Sequence, residues 1–387
     1  MLKKKPQGAA GCPPMRIPEH RLWIDEGENT ISLGCWNCPE RKSGICGGLS
    51  IAAGLMNCLD FCCGAPASCE RPCRNHPDYP LRVREVGTFA LESTPRGPVL
   101  DSPHLPPVVT VLFHGKRREK PISPRAVALP LYAMVHRRDG RLRFASHEDL
   151  CEAFGIVPGT PIILTGTDQD ASLERWWEYE DKRRAIVRDL AALGVVMSTT
   201  PNFSLILNGP RHIDFHAMKR IALCHAEFLD GGIPTALHVN GRSATDFRRW
   251  GAFVRERPEV THLAYEFTTG TGRAGRRDHH VAWLAGVAAD ARRPLDLLVR
   301  GGIDLLPQLT PVFRQVTVLE TVSFMKTMKR QQAARRPGRS PGWRSAPTAV
   351  GAPVDALFAH NRAAVRQWIE DRLVPPSVGE RITAAAG

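Results

Sequence analysis

The sequence predicts an α/β protein built on a (β/α)8 TIM-type barrel, with an N-terminal cysteine-rich metal-binding lobe and a C-terminal helix. Three observations carry this reading. Eight short apolar, β-rich runs recur between residues 108 and 321, amphipathic segments of helical period separate them, and polar clusters follow directly after most of the runs. The runs are VVTVLF (108–113), AVALPLYAMV (126–135), TPIILTG (160–166), GVVMST (194–199), IPTALHV (233–239), THLAYEF (261–267), LDLLVRG (295–301) and QVTVLET (315–321). A repeat of strand, loop and helix at about 30 residues per unit fits a closed barrel better than the alternative, an open doubly wound sheet.

The intervening helices have readable ends. SHEDLCEAF opens on Ser146 as N-cap, with Glu148 and Asp149 in the first turn where their charge suits the helix dipole. ASLERWWEYEDKRRAIVRDLAALG (171–194) spaces Leu173, Trp176, Trp177, Ile186 and Leu190 along one face, and Gly194 ends it. Outside the barrel, 108–326, six further assignments follow. Residues 1–34 form an irregular arm and 35–80 the cysteine-rich lobe; 78–91 (DYPLRVREVGTFAL) reads as a strand or extended crossing segment. Proline-rich 94–107 is a linker, 327–350 a flexible basic linker, and 351–387 a C-terminal helical segment with Leu357, Val365, Trp368, Ile369 and Leu373 on one face.

At 387 residues, 43% hydrophobic and 24% charged, the chain can bury a sizeable core. No window resembles a membrane span, and the lysine-bearing N-terminus lacks the apolar stretch of a secretory signal, so a cytoplasmic protein with no membrane partner is expected. The 52 Lys and Arg against 39 Asp and Glu give a net charge of +13, a field that attracts polyanions. Between 326 and 344 lie Lys326, Lys329, Arg330, Arg335, Arg336, Arg339 and Arg344 with no acidic residue, which predicts a nucleic-acid-contacting arm; a solvated basic linker is the plainer alternative.

Functional residues of a parallel barrel lie at the C-terminal ends of its strands, where the following loops converge. That rule selects Asp168, Asp170 and Glu174 after the third run, Asn202 and Ser204 after the fourth, and His238, Asn240 and Arg242 after the fifth. Glu266, Thr268, Thr269, Gly270 and Arg273 follow the sixth, Arg300, Gly301 and Gly302 the seventh, and Glu320, Ser323 and Lys326 the eighth. A scaffold has no need of carboxylates, amides and arginines at so many successive exits. Asp170 and Glu266, with Asp168 or Glu320 as substitutes, supply the carboxylate pair that nucleophilic or general acid/base chemistry requires. Asn202 and Asn240 suit the edge of a heterocyclic base, with Ser204 beside them, and Arg300 with Gly301 and Gly302 a phosphate. Thr268 precedes, and Gly270 belongs to, a TGTG stretch (269–272) that lacks the lysine of a P-loop. Individually, Ser204 is equally a turn hydroxyl, Asp246 a helix-capping residue and His238 a satisfied core histidine. No Ser-His-Asp order, H-E-x-x-H, Walker A or G-x-G-x-x-G is present.

Eight of the eleven cysteines, Cys35, Cys38, Cys46, Cys58, Cys62, Cys63, Cys69 and Cys73, fall within residues 35–73. In a reducing compartment such density points to metal rather than disulfides. Eight thiolates satisfy two tetrahedral zincs or two [4Fe–4S] clusters, and one site with spare thiols counts equally well. Zinc and iron–sulfur both remain open, and the radical-generating Cys-x3-Cys-x2-Cys spacing is absent.

The stretch from Gly166 to Lys326 resembles a family of uncharacterised phage, plasmid and bacterial proteins. The residues that carry this are Asp170, Glu174 and Trp177, the LGVVMSTTPNFSL run with Pro201, Asn202, Phe203 and Ser204, then GIPTALHVN and YEFTTG. The resemblance supplies no reaction, and for a phage-encoded member it would make the host cytoplasm the location. More remotely, the chain is similar to tRNA-guanine transglycosylases and the deazaguanine-inserting DNA enzymes. Those are (β/α)8 barrels with a carboxylate nucleophile, a second carboxylate as base, and a zinc motif before a His-Asn helix, which Ala359-His360-Asn361 matches in part. Here the cysteines lie at the other end of the chain. What this likeness implies is a pentosyl-transferring enzyme that exchanges a guanine for a deazaguanine in DNA or RNA. Two other readings stand beside it: a non-catalytic, metal-stapled nucleic-acid-binding protein, and a barrel enzyme for a small molecule.

Overall fold

The computed structural model describes residues 79–205, 211–268, 276–336 and 339–373. Eight parallel strands close into a barrel in sequential order: β1 (Val108–Val111), β2 (Val127–Pro130), β3 (Ile162–Thr165), β4 (Val195–Thr199), β5 (Thr235–His238), β6 (His262–Glu266), β7 (Asp296–Arg300) and β8 (Gln315–Glu320). Closure runs through β1 and β8, with Val108, Val109 and Thr110 opposite Val318, Leu319 and Glu320. Because side chains alternate across a strand, this register fixes which residues face the axis. Val109, Val111, Ala126, Ala128, Ile163, Met197, Ala236, Ala264, Leu298 and Leu319 form one buried inner cluster. The outward set packs under the helices in a second, larger core around Trp176 and Trp250.

Those helices are α1 (Tyr79–Val86), α2 (His147–Phe154), α3 (Asp170–Glu178), α4 (Lys182–Ala192), α5 (Arg211–Asp230), α6 (Ala244–Arg255), α7 (Arg277–Asp290), α8 (Leu306–Leu309), α9 (Val322–Met328) and α10 (Asp355–Leu373). Ser146 caps α2 as expected, accepting from the Asp149 amide at 3.1 Å. At α6, Ser243 and Asp246 form a reciprocal capping box, which gives Asp246 its structural role.

Four sequence expectations change. Residues 79–86 are helical, with Pro80 in the first turn where its missing N–H costs nothing, and Val83 and Val86 turn to the core at helical spacing. The second strand ends at Pro130, after which Leu131–Ala133 form a 3-10 turn. The single helix expected over 171–194 is two, α3 and α4, broken at Glu180, which adopts a left-handed φ of 48°. Finally, the basic segment read as a flexible linker carries a two-stranded antiparallel hairpin, β9 (Gln331–Ala334) and β10 (Gly342–Ser345). Asn361 of α10 fixes it, accepting from the Ala333 amide and donating to Gln331 O, each at 2.8 Å. The cysteine-rich lobe lies outside the described residues.

The proline-rich 94–107 segment straps the barrel's floor. The Arg257 guanidinium donates to Pro95 O and Thr94 O, buried Lys219 donates to Ala90 O, Ser93 Oγ and Thr94 Oγ1, and Gln315 Nε2 donates to Leu105 O at 2.6 Å. Burial pushes the Lys219 ammonium down to about 8. Above the strap, Asp296 accepts from Arg314 Nε at 2.9 Å and lies 3.1 Å from His262 Nε2. Burial alone would raise the Asp296 carboxyl, but hydrogen bonds from His262 and Arg314 outweigh it and hold the group well below the usual carboxylate range. Its ionised form therefore contributes stability above a pH of about 4, and that contribution is lost as pH falls through the depressed folded value. Asp296→Asn should cost about 1–3 kcal/mol in urea unfolding at neutral pH. The gap from the parent protein should narrow as the buffer is acidified below about pH 4.

Candidate active site

Alternation carries the inward set of β6 and β7 upward from His262 and Asp296, through Ala264 and Leu298, to Glu266 and Arg300 at the C-terminal mouth. Glu266 and Arg300 are direct register partners, and Arg300 Nε lies 3.7 Å from Glu266 Oε2. Glu266 is 6% exposed. Its Oε1 accepts from the Thr268 amide at 3.0 Å and from the Thr268 hydroxyl. Burial raises the Glu266 carboxyl above its usual range, against the lowering influence of Arg300 and the Thr268 hydrogen bonds. A buried carboxyl beside a guanidinium at the barrel mouth is the kind of group that general acid/base chemistry uses.

The following turn requires glycine. Gly301 and Gly302 have φ of 76° and 61°, and a Cβ on Gly301 would stand 2.6 Å from Thr268 Cγ2, the side chain that holds Glu266. The pair thus serves as a close-packed turn beneath Glu266, whatever it binds.

Across the rim, Asn240 Nδ2 donates to Asn202 Oδ1 at 3.0 Å and to Phe203 O at 2.9 Å, and the Asn202 amide donates to Gly166 O. Asn202 Nδ2 and Asn240 Oδ1 have no protein partner among the described residues. A donor and an acceptor side by side suit the edge of a heterocycle. Ser204 Oγ donates to Asp170 Oδ1 at 2.5 Å, both groups exposed at the start of α3. No described contact joins Asp170 to Glu266. Asp168 is exposed and accepts from its neighbour's amide at 2.7 Å. His238 faces the axis but is a satisfied core histidine, with Nδ1 2.7 Å from Thr200 O and its pKa pushed down by burial to about 4. Arg242 is sunk beside Asp214 at 2.9 Å, and Glu174 is held by both Nη atoms of Arg220.

Glu320 is the clearest correction. It pairs with Thr110 in the outward-facing register, is 4% exposed, and accepts from the Ser323 amide and hydroxyl at the start of α9. Its role is to cap α9 beneath the helical layer, away from the mouth. Among the basic residues, Arg330 is spent on structure, bonded to Thr327 O, Met328 O and Thr348 Oγ1. Lys326 stacks over Trp343, while Lys329, Arg335, Arg336, Arg339 and Arg344 are exposed. Gly270 and the eight clustered cysteines lie outside the described residues. Among the described residues, no group of three or more His, Cys, Asp or Glu is placed to hold a metal, and no helix is long and apolar enough to cross a membrane.

One further feature of the mouth does not follow from the strand-exit pattern. The loops after β1, β2 and β3 enclose a groove of about 530 Å³ lined by Phe113, Tyr132, His136, Arg137, Arg143 and Asp168, among others. Its sequence signal is the basic turn HRRDGR directly after the second apolar run, hidden because that run continues past the end of the strand at Pro130.

No protein-family model, curated protein or solved structure matches this chain.

Glu266 and Glu320 separate by test. Glu320→Gln keeps a hydrogen-bonding side chain under α9 and should leave ligand binding at the mouth unchanged. Glu320→Ala leaves Ser323 unsatisfied and should lower stability by about 1–3 kcal/mol, read by urea unfolding.

Proposed function

We propose that the protein is an enzyme that modifies a base or nucleotide of nucleic acid, with transglycosylase-like exchange of a guanine for a deazaguanine as its most concrete form. The observation that carries this is the Glu266–Arg300 register pair: a buried carboxyl with a raised pKa beside a guanidinium, at the face where barrel enzymes act. In this reading the Asp170 carboxylate attacks the anomeric carbon and the bond from that carbon to the purine nitrogen breaks. Glu266 gives its proton to the departing base. The incoming base then loses its N–H proton to Glu266, its nitrogen bonds the anomeric carbon, and Asp170 leaves. Asn202 and Asn240 would read the base edge and Arg300 would hold phosphate. The +13 charge supports a polyanionic substrate.

The test is incorporation of labelled guanine into DNA and RNA. Glu266→Gln should slow exchange by about 10²–10⁴ while leaving salt-dependent nucleic-acid affinity intact. In the parent protein, the step that needs protonated Glu266 should weaken as pH rises through its elevated pKa, and the variant should lose that limb. Exchange that survives both Glu266→Gln and Asp170→Asn sinks the assignment. Nucleic-acid binding with no exchange in the parent protein favours a non-catalytic binding module, and neither activity favours a small-molecule enzyme.

For the cysteine-rich lobe at 35–80 we propose zinc or [4Fe–4S] ligation by its eight cysteines. Anaerobic purification with metal analysis decides between them: colourless protein with stoichiometric zinc, or brown protein with iron and sulfide. Metal-free protein with all eight thiols titratable would end the proposal.

A further inference from the structure

The groove over β1, β2 and β3 has no part in the chemistry above, yet it opens on the same face. Glu266 stands on β6, across the closed order of eight strands from β2, but its carboxyl also takes a hydrogen bond from Thr167, the neighbour of the groove's Asp168. The groove therefore adjoins the carboxyl on its β3 side. A ligand that fills both reaches from Glu266 out over the loops after β2 and β3, which favours a nucleotide with a flanking strand over a single base.

The lining chemistry narrows the class. His136, Arg137 and Arg143 are exposed there against one carboxylate, Asp168, while half-buried Phe113 offers an aromatic ring. The basic loop is also built rather than loose. Its Val135 bridges Leu142, the His136 amide donates to Arg141 O at 2.8 Å, and buried Tyr179 donates its hydroxyl to His136 O at 3.1 Å and Arg137 O at 3.3 Å. Arg141 is neutralised by Asp139 at 2.8 Å, whereas no described carboxylate pairs with Arg137 or Arg143. Arg143 is steadied through Nη1 on Ala133 O at 3.2 Å. Two guanidiniums on a pinned loop match a phosphodiester, an aromatic ring matches an unstacked base, and a carboxylate accepts from a base's exocyclic amine.

We infer that this groove grips the backbone of a single nucleic-acid strand, through Arg137 and Arg143, while the nucleotide to be modified lies at Glu266. The inference rests on the reading of the mouth as a nucleic-acid site. It moves the principal contact from the 326–344 segment, where Arg330 is already bound to backbone carbonyls, to the loop after β2.

Fluorescence anisotropy of the full chain with a labelled single-stranded oligonucleotide of about ten nucleotides, across a salt series, tests it. Arg137→Ala/Arg143→Ala should weaken binding and flatten the plot of log affinity against log salt by about 1.4, two contacts at roughly 0.7 each. Arg335→Ala/Arg336→Ala/Arg339→Ala and Glu266→Gln should each leave the slope near that of the parent. Both arginines of the first variant are exposed, and an unchanged thermal melt confirms its fold. An unchanged slope in that variant, or the whole loss appearing in the 335–339 variant, overturns the inference. So does a mononucleotide that competes as well as the oligonucleotide, which would make the groove a site for a free phosphate ester, and so does a parent protein that binds no oligonucleotide. Base exchange is scored separately: strand binding through Arg137 and Arg143 without guanine exchange keeps this surface and removes only the exchange reaction.

Discussion

Everything at the mouth depends on how β1 meets β8. With Val109 opposite Leu319 and Thr110 opposite Glu320, closure assigns one side chain of every neighbouring pair to the axis and the other to the helical layer. A slip of one residue at this seam would turn Leu319 outward and Glu320 inward, placing an apolar side chain among the helix-facing polar contacts and a carboxylate among Val109 and Val111. The hydrophobic inner cluster and the Ser323 cap on Glu320 both oppose that slip. The facing of the mouth residues and the stability of the barrel are thus set by one register.

Outside the barrel, buried cations carry much of the specificity of the wrapping segments. Lys219 and Arg257 meet their obligation to hydrogen-bond by donating to the backbone and hydroxyls of residues 90–95. Backbone carbonyls of a proline-rich strap have no sheet partner, and desolvated cations have no water. Each satisfies the other, which fixes the path of the strap more sharply than apolar contact alone would. Glu85 does similar work for α1, accepting from Trp177 of α3 and His216 of α5.

Much of this was legible in the sequence, and the errors share a physical cause. Strand positions were readable because parallel strands buried on both faces appear as continuous apolar runs, and all eight runs hold a strand. The same continuity hides which face is which. VTVLE gives no sign that Leu319 looks inward and Glu320 outward, since both flank apolar neighbours and only pairing with β1 decides. Hence Glu266 and Glu320, equivalent as strand-exit carboxylates, have opposite fates. Propensity misled at 79–86, where β-branched Val83 and Val86 read as extended until helical spacing against the core is seen. In AVALPLYAMV, the run continued past Pro130 through apolar residues of a 3-10 turn, and so masked the basic loop that borders the groove. The cysteine-rich lobe remains a matter of spacing and composition.

The two ends of the same strands carry contrasting charged pairs. β6 and β7 contribute one inward pair at the floor, His262 with Asp296, and another at the mouth, Glu266 with Arg300, and both pairs are register partners. At the floor the groups meet at 3.1 Å, Arg314 adds two more hydrogen bonds to the carboxylate, and Asp296 is driven toward permanent ionisation. At the mouth the guanidinium stands 3.7 Å from the carboxylate, and burial prevails over attraction to hold Glu266 closer to its neutral form. A pair that only stabilises gains from closing the distance, as the floor pair does. Under the proposed acid/base role, the wider spacing at the mouth would leave room for a ligand's group beside the carboxyl. The same two strands thus carry a tight ion pair at the floor and a looser one at the mouth, where the loops of the barrel converge.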